Sequence, residues 1–134
     1  MSTKSRRTSE SGRRSRCPVA CTLDLLGDKW TLLVVRDLLL GRDTFKALQE
    51  SAEKIPSNIL AERLKRLERE GIAQRALYQE RPPRYRYGLT DKGRDLAPVL
   101  YAMLDWGNKY LPGTLSREEI EILLSRSDKM QASD

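Results

Sequence analysis

The sequence has no histidine. That removes Ser-His and Cys-His catalysis, His-ligated zinc and the usual proton shuttle. Cysteine is scarce, with only Cys17 and Cys21 present. Their C-x-x-x-C spacing cannot supply the four ligands of a structural zinc site and does not match the redox C-x-x-C pattern. There is no Gly-rich phosphate loop and no cluster of carboxylates. The expectation is therefore a protein that is not an enzyme and takes no metal or cofactor. Long apolar runs are missing too: LLVV and LLL are split by Arg36 and Asp37, so no membrane span is expected. Residues 1–16 lack the apolar stretch of a secretory signal. The expected location is the cytoplasm, in association with the nucleoid.

What is present is charge, unevenly placed. The chain has 134 residues, 33% of them charged, with a net charge of +6. Mean hydropathy is −0.61. This length argues for one domain with appendages. Residues 1–16 hold six basic side chains against one Glu, and residues 54–94 hold eleven against five acidic ones. The remainder is net acidic. A basic arm and a basic segment on an acidic body form the electrostatic footprint of a polyanion binder.

Periodicity and breakers then order the elements. Cys17-Pro18 opens a first helix, with Cys17 as N-cap and Pro18 in the first turn, where its missing N–H costs nothing. Val19, Leu23 and Leu26 follow at i, i+4, i+7, and Gly27 stops the helix. Asp28 caps a second helix with Trp30, Leu33, Val34 and Leu38 inward, ending at Gly41. Arg42 to Thr44 reads as a short extended segment. Phe45, Leu48 and Gln49 sit on a short third helix, and Ile55 before Pro56 fixes a turn. Ser57 begins a fourth helix with Leu60, Leu64 and Leu67 inward and Asn58, Glu62, Lys65 and Arg69 outward. Gly71 is its expected C′ residue. Ile72 to Gln79 reads as a strand, Glu80 to Pro83 as a loop tip, and Arg84 to Leu89 as an alternating strand. Tyr85, Tyr87 and Leu89 face one side, Arg84 and Arg86 the other. Thr90 caps a long helix carrying Leu96, Val99, Leu100, Met103 and Trp106. Pro112-Gly113 breaks the chain. Ser116 to Glu119 is a capping box for a last helix with Ile120, Leu123 and Leu124 inward, and Ser127 to Asp134 is expected to fray.

Two helices joined by a short turn, then a β-hairpin, then a helix, make a winged helix-turn-helix. The fold class is mainly α with a small β-hairpin (α+β), with extra helices at the N- and C-terminal sides. The expected division is a flexible basic arm over 1–16, the winged domain with its flanking helices over 17–113, and a capped helix with a frayed tail over 114–134.

Several motifs occur in a fixed order. They are Cys17-Pro18, Leu25-Leu26-Gly27-Asp28-Lys29-Trp30, Phe45, the Leu60, Leu64, Leu67 and Gly71 series, Pro82-Pro83 with Tyr85, Tyr87 and Leu89-Thr90, and Gly93. Together they resemble the HxlR-type winged helix-turn-helix transcription regulators of bacteria and archaea, from about Cys17 to Gly107. The resemblance implies a homodimer on a near-palindromic DNA operator, paired through the first and the long C-terminal helices. It also implies a thiol switch at the Cys-Pro position. The basic arm, the tail helix and Cys21 depart from the family pattern.

The DNA-binding expectations follow from the helix-turn-helix. The fourth helix enters the major groove with its N-terminal half nearest the bases. Ser57 and Asn58 are set for direct contacts, since Asn pairs bidentately with adenine. Ala61 suits a thymine methyl. Lys65 and Arg66 are expected on phosphates. Glu62 accepts from cytosine N4 or pairs with Arg66 at i+4. On the wing, Arg81, Arg84 and Arg86 are expected on the backbone or minor groove, while Tyr85 and Tyr87 go to the core. Three to four basic contacts per subunit predict a slope on the order of −5 to −7 in log K against log salt.

Cys17, as an N-cap near Arg14 and Arg16, reads either as a thiol sensor with a lowered pKa or as a small structural residue. Cys21 reads as core or interface filling. An oxidant or small molecule is the candidate effector, and Trp30, Tyr101, Met103 and Trp106 either line its pocket or pack as core. The competing readings are a MarR- or PadR-type small-molecule-responsive regulator and a winged-helix module that binds RNA or protein.

Overall fold

A computed structural model describes residues 12–123. The elements in chain order are α1 (Pro18–Leu26), α2 (Thr31–Leu39), α3 (Phe45–Gln49), α4 (Ser57–Arg69), β1 (Ala73–Gln79), β2 (Arg84–Leu89), α5 (Asp91–Arg94) and α6 (Ala97–Tyr110). Residues 117–123 are also helical. Leu124 and the expected fraying of Ser127 to Asp134 lie outside the described residues, as does most of the basic arm. Among the described residues no helix is long and apolar enough to cross a membrane.

Each boundary has a local cause. Cys17 is the N-cap of α1 with Pro18 behind it, and Gly27 closes the helix by donating to the Leu23 carbonyl at 2.7 Å. A Cβ on Gly27 would collide with that same carbonyl, so a side chain is excluded there. The Asp28 carboxylate accepts from the N–H groups of Trp30 and Thr31 at 3.1 and 3.2 Å and from the Thr31 hydroxyl. It thereby satisfies orphan donors at the start of α2. Thr44 caps α3 by accepting from the Ala47 N–H at 3.1 Å. The end of α4 is a Schellman motif. The Ile72 N–H reaches back to the Leu67 carbonyl and the Gly71 N–H to that of Glu68, with Gly71 at φ 72°. Glycine adopts this left-handed geometry without the usual Cβ penalty.

The hairpin is antiparallel, pairing Ala73 with Leu89 and Arg75 with Tyr87, with an irregularity between Leu77 and Gln79. Arg42 to Thr44 is not a strand. A single bond from the Tyr87 N–H to the Asp43 carbonyl, 2.7 Å, joins it to the outer edge of β2. The base of the wing is fixed by Thr90, whose hydroxyl donates to the Gly71 carbonyl at 2.5 Å. Gly93 packs so closely on Ile72 that a Cβ would meet the Ile72 carbonyl oxygen.

The core gathers Val34, Val35 and Leu38 of α2, Leu48 of α3, Leu60, Leu64 and Leu67 of α4, and Ile72, Ala73 and Leu89 at the wing base. Burying each of the α4 leucines stabilises the fold by roughly 1.5–3 kcal/mol. Two expectations for this core are corrected. Trp30 and Leu33 are only half-buried, and Thr31 and Val35 take the innermost places on α2. Tyr87 packs against the core, but Tyr85 does not. The Arg75 guanidinium lies over the Tyr85 ring at 4.2 Å instead.

A third correction concerns the helix after the wing. Thr90 caps only the four-residue α5, its hydroxyl accepting from the Gly93 N–H, and α6 starts afresh at Ala97. Pro98 has no N–H to offer the Arg94 carbonyl, and its ring is tolerated only in a first turn. The chain therefore restarts the helix with Pro98 near its beginning.

The apolar face of α6 is also not buried as its spacing suggests. Leu96 and Leu100 reach the core, while Val99, Met103 and Trp106 stay exposed. Val19 and Leu23 of α1 are likewise exposed. The capping box of the last helix is reciprocal. The Ser116 N–H donates to Glu119 Oε1 at 2.9 Å, and the Glu119 N–H to Ser116 Oγ at 3.1 Å. Its apolar residues are not sequestered: Ile120 is half-buried, and Ile122 and Leu123 are exposed.

Candidate nucleic-acid interface

The outward face of α4 is set by phase. With Leu60, Leu64 and Leu67 buried, Ser57, Asn58, Glu62, Lys65 and Arg69 are exposed and Ala61 is half-buried at their margin. The helix begins at Ser57 because Pro56 precedes it and Lys54 turns the chain with a left-handed φ of 57°. That turn is clamped from α2. Arg36 donates to both carboxylate oxygens of Glu53 at 2.7 and 3.0 Å and to Ser51 Oγ at 3.0 Å. It also pairs with the buried Asp37 at 2.9 Å. The bidentate Arg36 fork holds the Glu53 carboxyl down at a pKa of about 2. The angle at which α4 leaves the turn is thus tied to α2 by charge-assisted bonds.

The basic side chains of this region divide into two sets. Arg75 pairs with Glu68 at 3.3 Å, and Arg86 pairs with Asp43 at 3.1 Å and lies over the Tyr78 ring. Arg63 pairs with Asp28 at 2.9 Å and with Glu62. By contrast, no ion pair among the described residues involves Lys65, Arg69, Arg81 or Arg84. Lys65 and Arg69 project from α4, and Arg81 and Arg84 from the wing, all exposed.

Arg66 is a correction. Its guanidinium does not point outward. It donates to the carbonyls of Asp24, at 3.3 Å, and Leu25. Glu62 is another, because it pairs with Arg63 and not with Arg66. Arg69 is not among the expected contacts, although its phase with Asn58, Glu62 and Lys65 places it on the outward face. Arg66 falls one position further round the helix.

Cys17 and Cys21 are both free. Cys17 is exposed at the open end of α1. The N–H groups of Ala20 and then Val19 hold its thiol below the ordinary value, although neither forms a full hydrogen bond to the sulfur. Arg14, expected to favour the thiolate, pairs with Asp24 at 2.6 Å. Cys21 is half-buried and its thiol donates to the Ser15 carbonyl at 3.2 Å.

An apolar groove of about 520 Å³ runs between α1, α2 and α6, bordered by Val19, Leu23, Leu26, Leu32, Val99 and Met103. Of the residues expected to line an effector pocket, only Met103 borders it. Trp30 lines a separate small cleft. Among the described residues no group of His, Cys, Asp or Glu could hold a metal ion.

Several proteins similar to this chain are transcriptional regulators. The chain is 40% identical over 94 residues to the uncharacterized HTH-type transcriptional regulator YdeP of Bacillus subtilis, covering 70% of this chain and 73% of that one. The reduced form of the transcriptional regulator YodB from B. subtilis superposes with a TM-score of 0.61 at 33% identity, covering 75% of this chain and 100% of YodB. The redox regulator HypR in its oxidised form gives 0.63 at 34% identity, covering 69% and 96%. The HxlR-like helix-turn-helix family model matches residues 25–114. The half-exposed α4, the hairpin wing and these matches agree: the chain belongs to the HxlR-like helix-turn-helix family of transcriptional regulators.

Proposed function

We propose that the protein is a homodimeric, sequence-specific DNA-binding regulator that reads a near-palindromic operator. The observation that carries this is the outer face of α4. Ser57 and Asn58 lie at its exposed start and Lys65 and Arg69 further along. The start of α4 meets base edges in the major groove, and the two cations neutralise phosphates beside it. Arg81 and Arg84 extend the basic surface along the wing to the backbone or minor groove. Ala61 sits at the margin of the reading face, and Glu62, on that face, shares its charge with Arg63.

The second copy covers the apolar groove. Val19 and Leu23 on α1 and Val99 and Met103 on α6 border one trough from two sides. Pairing there buries apolar surface that would otherwise face water, and two recognition helices then address two half-sites. Cys17 heads the same region. Its exposed, lowered-pKa thiol supplies the thiolate that attacks oxidants or electrophiles, and the solved relative HypR is a redox regulator. Modification there would alter the spacing of the recognition helices.

The test is a salt series of fluorescence anisotropy on a duplex recovered by the protein from a random pool. A slope on the order of −5 to −7 in log K against log salt is expected. A nearly flat response rejects DNA binding. Sedimentation should give twice the 15.4 kDa chain mass, and a monomer at binding concentrations rejects the dimer. Iodoacetamide should alkylate Cys17 at neutral pH faster than it does free cysteine, and an equal or slower rate rejects the sensor.

A further inference from the structure

Of the nine residues of α1, only Leu26 is buried. A helix this short does not sustain itself in water, so its direction needs a second anchor. The anchor comes from the recognition helix. Arg66 Nη2 donates to the carbonyls of Asp24 and Leu25. These two carbonyls belong to the last turn of α1, accept from no backbone N–H and lie at the negative end of the helix dipole. Arg66 closes the end of α1 from 41 residues away in sequence.

The same guanidinium lies 3.8 Å from Asp28, the residue that caps α2. Arg63, three residues before Arg66, donates to the same carboxylate at 2.9 Å. Partial burial alone would raise the Asp28 pKa. Hydrogen bonds from Thr31, Arg63 and the Trp30 N–H overcome it and hold the carboxyl well below the usual range. One carboxylate and two guanidiniums thus join the end of α1, the start of α2 and one flank of α4. Both arginines are about four-fifths shielded from solvent, so these pairs are less screened than surface ones. On α4 they lie between the buried leucine stripe and the outward face. Movement of α1 therefore bears directly on the helix that presents Ser57, Asn58, Lys65 and Arg69.

Resting on the reading of α4 as the DNA-reading helix, we propose that Arg66 is a positioning residue which, with Asp28 and Arg63, locks α1 to the recognition helix. The set of α1 then determines the set of the reading face. Arg66 itself touches no DNA. It transmits position from the helix headed by Cys17 to the helix that reads the groove.

The experiment compares the full chain with Arg66→Gln, Arg66→Lys and Lys65→Gln. Amide hydrogen exchange is followed on the free proteins. Binding is measured over a salt series on the duplex recovered from a random pool by the unmutated chain and on a scrambled duplex. Arg66→Gln should speed exchange in the last turn of α1 about tenfold and leave Val34 and Val35 protected, the signature of local release. It should weaken the selected duplex about tenfold and the scrambled one hardly at all, with the salt slope unchanged. Arg66→Lys should restore part of both losses. Lys65→Gln should weaken both duplexes and reduce the slope by about 0.9 for each lost phosphate contact. Unchanged α1 exchange in Arg66→Gln overturns the lock. A slope loss matching that of Lys65→Gln, or equal weakening of both duplexes, overturns the positioning role. If the unmutated chain recovers no duplex, the DNA reading fails, and the exchange comparison alone still decides whether Arg66 locks α1.

Discussion

Leu60, Leu64 and Leu67 on α4 and Val99, Met103 and Trp106 on α6 share the same i, i+4, i+7 spacing and end in opposite surroundings. The first three are at most 2% exposed, and the second three are 40–62% exposed. Val19, Leu23 and Leu26 on α1 repeat the spacing again, with two residues out and one in. Apolar periodicity therefore records that a face is to be covered. It does not record whether the cover comes from the same chain. The α4 face is covered within the chain, by α2, α3 and the wing base. Val19 and Leu23 of α1 and Val99 and Met103 of α6 border an open groove. The inner unit should have a stability of its own, while on the proposed pairing the outer helices gain theirs from a second copy, which makes it concentration-dependent.

Substituting inside each stripe tests this division. Leu64→Ala should cost about 3 kcal/mol, the transfer loss plus an unfilled cavity, read as a lower urea midpoint with little change in slope. Trp106→Ala should cost the isolated chain less than about 1 kcal/mol, because its ring is already wet. A mild Leu64→Ala or a severe Trp106→Ala would erase the contrast. Leu23→Asp goes further, placing a charge in the groove. Sedimentation should then find monomers, and affinity for the full duplex should fall by about a hundredfold as half-sites are bound singly. A Leu23→Asp dimer of normal affinity would show that the groove is not the pairing surface.

Much of this organisation was legible in the chain because its signals are local. Pro18 after Cys17, Asp28 before Thr31, Gly71 after Arg69 and Ser116 with Glu119 each act within four residues, and each does so in the structure. The break before α6 was equally local, since Pro98 stands in plain view, but the continuous apolar pattern concealed it. Arg66 could not be placed that way. Its charge suggests a phosphate contact, and its true partners lie more than forty residues back on α1. The pairing of Arg36 with Glu53 was hidden for the same reason. Among the candidate DNA contacts, sequence finds the charges, and the fold decides which remain free.

The Arg36–Glu53 clamp offers a smaller test within the inner unit. Glu53 is held at about 2 in the folded chain, against about 4.3 when unfolded. Its contribution is therefore fully present above the unfolded value and is lost as pH falls through about 4 toward 2. The side chain is 41% exposed, so solvent screening reduces the contribution to about 1 kcal/mol. Glu53→Gln should lower stability by that amount at pH 7 and by almost nothing at pH 2, flattening the acid limb of the stability curve. Equal losses at both pH values would mean that Glu53 works through packing and that charge does not set the turn.

The smallest effect concerns the wing, where two arginines two positions apart on β2 differ in their partners. Arg86 is held by Asp43 and the Tyr78 ring, while no ion pair among the described residues involves Arg84. A cation already neutralised by a carboxylate releases fewer counterions when it meets a phosphate. Arg84→Gln should therefore weaken DNA binding a few-fold near 0.1 M salt and lower the salt slope by about 0.9 per subunit. Arg86→Gln should leave the slope nearly unchanged, and any loss of affinity should come from a loosened wing edge. Asp43→Asn sharpens the comparison. Freeing Arg86 from its carboxylate should steepen the slope if its guanidinium can reach DNA from the wing. A slope that does not move would mean that Arg86 serves the wing edge beside Asp43 and does not reach DNA.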